Sequence, residues 1–107
     1  MNEIPSKADW KLFQSMISEL RERYLKTQNE RLSQNLLNEA KTPTENFWEV
    51  EKEIREQAGI LQDCLDGYSK SRLVEHVMFM KSQGMILEED LHKFSPEFQA
   101  KIQSFFR

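Results

Sequence analysis

The chain has 107 residues, 31% of them charged, and a net charge of −3. That length fits one domain, and the acidic balance argues against the basic face that nucleic-acid binding requires. Leu, Ile, Val and Phe supply 27 residues, about a quarter of the chain, which excludes wholesale disorder.

Three Gly and three Pro are too few for a loop-rich β protein and point to helices. The lone Cys64 cannot form an internal disulfide, which suits a reducing compartment. The start, Met1 to Lys7, has no apolar run of the kind a secretory signal needs. No stretch approaches the ~18 apolar residues of a membrane span. A cytoplasmic protein without a membrane partner is expected.

The first helix is predicted from Lys7 to about Lys41, after a flexible segment 1–6. Ser6 and Asp9 form an S-x-x-D start. Trp10, Phe13, Ile17, Leu20 and Tyr24 step by three and four, which is one helical face. The stripe then shifts to Leu25, Leu32, Leu36 and Ala40. The polar stretch from Lys26 to Gln34 either breaks the helix or carries it beyond the core.

Thr42-Pro43-Thr44-Glu45 is a helix start: a cap, Pro at the first position, and an acid three residues on. Phe47, Val50, Ile54, Ala58, Leu61 and Leu65 keep helical spacing to Asp66. Gly59 weakens the second half by roughly 1 kcal/mol relative to Ala. A third helix is predicted from Ser69 to Gln83, closed by Gly84. It is apolar nearly all round, so it should be the central, buried element. Met85-Ile86-Leu87 connects to a helical turn at Glu88–Phe94. Ser95-Pro96-Glu97 then starts a last helix whose face is Phe98, Ile102 and Phe105. The expectation is an all-α domain of four or five helices, with the long N-terminal helix packed on a compact C-terminal helical cluster over 42–107.

Three strings, Trp10-Lys11-Leu12-Phe13, Phe47-Trp48-Glu49-Val50-Glu51-Lys52 and Gly84-x-Ile86-x-x-x-Asp90-Leu91-x-x-Phe94-Ser95, stand in that order. With them the chain resembles a family of small, uncharacterised bacterial helical proteins, over most of its length. The resemblance implies a shared fold and no chemistry. Between Glu56 and Ser69 it implies a short loop, where the periodicity predicts continued helix. Residues 81–102 also look like the helix–Gly-x-Ile–helix hairpin of short C-terminal oligomerisation modules.

Several constellations suggest chemistry. Glu89-x-x-His92 has the spacing of carboxylate-bridged metal sites, but those need a second such pair and two further Glu on long facing helices. An exposed acidic helix start is the better reading. Cys64 and His76 could act as nucleophile and base only if the fold joins them. A buried thiol and a satisfied boundary histidine are favoured instead. No catalytic residue, metal, cofactor or small-molecule substrate is therefore expected.

Residues 42–68 hold seven acids against Lys52 and Arg55, a face that could receive a basic partner or simply be solvated. Lys70 and Arg72 could touch phosphate at a helix N-terminus. The helix that follows begins Glu88-Glu89-Asp90, which repels DNA where recognition helices read bases.

Interaction with protein is the reading that remains, and self-association as a homodimer is its simplest form. The first helix's apolar stripe outruns what short neighbours can cover. Leu25, Leu32, Leu36, Trp48 and Phe106 are the candidate interface residues. A small nucleic-acid-associated regulator using Lys70 and Arg72 is the alternative.

Overall fold

A computed structural model describes residues 4–105. Those residues form five α-helices and no strand. The helices are α1 (Lys7–Leu36), α2 (Pro43–Leu65), α3 (Leu73–Ser82), α4 (Glu88–Leu91) and α5 (Pro96–Ser104). A 3₁₀ turn, Lys70–Arg72, leads into α3. The molecule is elongated, 60 × 25 × 21 Å.

The elongation has a simple origin. At 1.5 Å per residue, the 30 residues of α1 span about 45 Å. Only its first two-thirds meets the core. Phe13, Met16, Leu20 and Tyr24 pack there with Cys64 of α2, Leu73, Val77 and Met80 of α3, and Phe98 and Ile102 of α5. Beyond Leu25 the helix runs on unbroken through the polar stretch and leaves the cluster. The first half of α2 returns along it antiparallel, and α1 and α2 make a two-helix arm.

The helix starts follow local chemistry. Ser6 accepts from the Asp9 N–H at 3.1 Å, and Asp9 reaches back to the Ser6 N–H, which completes a reciprocal cap. Thr42 accepts from the Glu45 N–H at 3.1 Å. Here the Glu45 carboxylate takes the Thr42 hydroxyl rather than the cap's backbone N–H. Ser95 accepts from the Phe98 N–H at 3.3 Å. Gly84, at φ +79°, ends α3, and the Met85 N–H closes back on the Met80 carbonyl at 2.9 Å.

Several boundaries differ from expectation. α1 ends at Leu36, short of Lys41, because residues 37–41 must reverse the chain. In that turn the Asn38 side chain accepts from the Ala40 N–H, and its carbonyl accepts from the Asn46 amide. The first half of α2 belongs to the arm, not to the cluster. α2 runs through Gly59 to Leu65, as the periodicity predicts and against the loop implied by the resemblance. Residues 69–72 are not α-helical, so α3 is shorter than expected. Within α3, Leu73, Val77 and Met80 have no exposed surface. Phe105 is 55% exposed and does not share the core face of Phe98 and Ile102.

Removing a cap tests these boundaries. Thr42→Ala should cost about 0.5–2 kcal/mol in chemical denaturation. Ser95→Ala should cost more, because it also removes the hydroxyl that donates to the buried Asp9 at 2.6 Å, while the backbone N–H keeps its bond to Asp9 at 2.8 Å. Equal costs would show that the Asp9 contact adds nothing.

Candidate functional site

Two ties fix α1 to the rest of the cluster. The first is Asp9, buried at the N-terminus of α1 and bonded to Ser95 at the start of α5. Burial pushes its carboxyl up, but the hydrogen bonds from Ser95 and Ser6 outweigh that and hold it below its ordinary value. The second is Arg23 of α1, which grips both oxygens of the buried Asp90 at 2.6 and 3.1 Å and the Met85 carbonyl at 3.1 Å. The Leu87 N–H also donates to Asp90 at 2.8 Å. Burial again raises this carboxyl, and Arg23 with the Leu87 N–H brings it below its ordinary value.

Beyond these ties the arm is held by polar pairs. Tyr24 donates its hydroxyl to Gln57. Arg31 meets Glu53 at 2.8 Å, and the Asn35 amide donates to the same carboxylate at 3.1 Å. At the tip Lys41 pairs with Glu49 at 2.7 Å. Asn46 and Val50 are the buried residues of the early α2. The Asn46 Oδ1 is buried with no hydrogen-bond partner inside the protomer.

The arm also exposes several large apolar side chains. Leu36, Phe47, Trp48 and Ile54 are each 46–61% exposed, and Leu37 is 76% exposed. Phe47 and Trp48 contact each other edge to face, ring centres 5.0 Å apart. Neither belongs to the core. Between the two helices lies a groove of about 270 Å³ lined by Leu25, Leu32, Ile54, Ala58 and Leu61, with Gln28, Asn29 and Gln57.

The structure thus brings Leu25 and Leu32 into one groove, with Leu36 and Trp48 exposed on the same arm. Phe106 lies outside the described residues. Ile54 and Phe47 join this surface without having been singled out as interface residues. Their signal was present: Phe47, Ile54, Ala58 and Leu61 recur at helical spacing, a pattern read there as core-facing.

No family model, curated protein or solved structure matches the chain, so its function rests on its own geometry.

The chemical constellations do not assemble. Glu89 and His92 are both exposed, and His92 lies 4.0 Å from Glu88. Among the described residues, no three His, Cys, Asp or Glu side chains are placed to hold a metal. Cys64 is fully buried, and burial pushes its thiol up to about 11, so it is protonated at neutral pH. His76 does reach Cys64, but through the ring Nε2 to the backbone carbonyl. It satisfies an orphan carbonyl in the last turn of α2.

Arg72 borders an open depression shared with Asp63, Asp66 and Glu75. Those carboxylates oppose phosphate there, and the three-residue 3₁₀ turn lacks the aligned N–H groups of an α-helix start. Of the seven acids in 42–68, Glu49, Glu51 and Glu53 are engaged by Lys41, Arg55 and Arg31. No helix among the described residues is long and apolar enough to cross a membrane.

Proposed function

We propose that this chain is a non-enzymatic, self-associating helical module that forms a homodimer through the α1–α2 arm. The observation that carries the reading is the arm's open apolar groove with its flanking large side chains. Leu36 and Ile54 are about half exposed on two adjacent helices. Exposed apolar surface of this continuity marks an interaction site. A two-fold dimer is the commonest way to cover it. Four helices, two from each copy, then enclose what one pair cannot.

The test is solution mass. Light scattering at micromolar concentration should give twice the 12.8 kDa of one chain. Leu36→Glu with Ile54→Glu should give a folded, helical monomer, because both side chains are solvent-exposed in the protomer. A monomer for the unmodified protein removes the proposal.

A further inference from the structure

The sequence of α2 is self-complementary about its own middle. Helical phase places Phe47, Glu51, Ile54 and Ala58 along one side, with Trp48, Arg55 and Gly59 beside them. Large aromatics stand at one end of this strip and two small residues at the other, with an acid and a base between. Gly59 is the second observation. It sits inside an α-helix, where glycine is unfavourable. A Cβ placed on it would meet nothing within 4 Å. Nothing in the protomer requires a glycine there.

We infer that the two copies pack antiparallel, α2 against α2, about a two-fold axis level with Glu53. This inference rests on the dimer proposed above and specifies its geometry. Phe47 then lies level with Gly59 of the second copy, Trp48 with its Ala58, and Glu51 with its Arg55. Large side chains fill the space over small ones, as interdigitated helix contacts require. The Glu51–Arg55 pair, 2.7 Å within one chain, gains a second opposite charge from the other copy. A parallel dimer would instead set Phe47 on Phe47, Glu51 on Glu51 and Arg55 on Arg55, which like-charge repulsion opposes. Ala58 also borders the groove between α1 and α2, on the side away from Gly59.

Two measurements test the arrangement. Thr44→Cys places a spin label on the exposed start of α2, while the native thiol, fully buried, stays unlabelled. An antiparallel pair separates the two labels by at least about 27 Å, nine residues on each side of the axis. A parallel pair, with helix axes 8–10 Å apart, brings them within roughly 20 Å.

Gly59→Leu is the second variant. It enters open space in the protomer, so helicity should hold. Association should weaken at least about tenfold, because the added side chain overfills the contact. A dimer by mass with the short label distance overturns the antiparallel register and leaves the dimer standing. A monomeric mass for the unmodified protein overturns the dimer itself. Undiminished association of Gly59→Leu removes Gly59 from the interface.

Discussion

Val77→Asp should abolish cooperative folding. Val77 has no accessible surface and sits between Leu73 and Met80 on the helix at the centre of the core. A carboxylate there would sit within the hydrophobic core cluster. Burying an unpaired charge costs at least several kcal/mol even when the group escapes by taking up a proton. Total stability for a domain of this size is about 5–15 kcal/mol. Here the lower part of that range applies, because the arm contributes little buried apolar surface. Circular dichroism through a thermal ramp checks the outcome. Val77→Ala is the graded control: it removes two methyl groups and leaves a small cavity, at roughly 2 kcal/mol. A Val77→Asp chain with an unchanged midpoint would displace α3 from the centre of the fold.

The same α3 shows what local pattern can and cannot carry. Its burial was legible because Leu73, Val77 and Met80 recur at three and four residues with few polar interruptions. The caps at Ser6, Thr42 and Ser95 were legible because each places an oxygen beside specific N–H groups within three residues. So was the exit of α1 from the core, which the polar stretch from Lys26 to Gln34 presents as one of two outcomes. The two ties were not legible. Arg23 and Asp90 are 67 residues apart, and Asp9 and Ser95 are 86 apart. Spacing within a helix says nothing about partners at that distance. Asp90 looked like one of three acids favoured by a helix start, yet it alone of them is buried.

The arm failed to be read for a related reason. The stripe Phe47, Ile54, Ala58 and Leu61 has the periodicity of a core face, yet of the four only Leu61 packs against the core. The buried side of early α2 is marked instead by Asn46 and Val50, one of them polar. Phe47 and Ile54 turn to solvent while the polar Asn46 turns inward, a local conflict that the proposed second copy would relieve.

Arg23→Ala should give the other large effect, one with a pH signature that packing losses lack. The Asp90 side chain is only 4% exposed, and Arg23 supplies two of its hydrogen bonds. Removing one partner of a buried pair costs about 3–5 kcal/mol. Arg23 is itself 36% exposed, so water entering its place offsets part of that, and about 2–4 kcal/mol is expected at pH 7.

In the unmodified protein the Asp90 carboxyl is held below its ordinary value of 3.8. Its stabilising contribution is therefore complete above that value. It is lost as pH falls toward and through the lowered value, because there the unfolded chain binds the proton first. Without Arg23, burial is opposed only by the Leu87 N–H and the charge of Lys93, and the folded-state value rises. The variant's Asp90 then takes up its proton more readily when folded, which relieves the buried charge. The stability deficit of Arg23→Ala should thus be full at neutral pH and shrink below about pH 4. Urea denaturation of both proteins at pH 7 and pH 3 measures it. A deficit of the same size at both values would mean that Arg23 acts through its packed stem and its bond to the Met85 carbonyl. The charge of Asp90 would then have no part in holding the arm to the cluster.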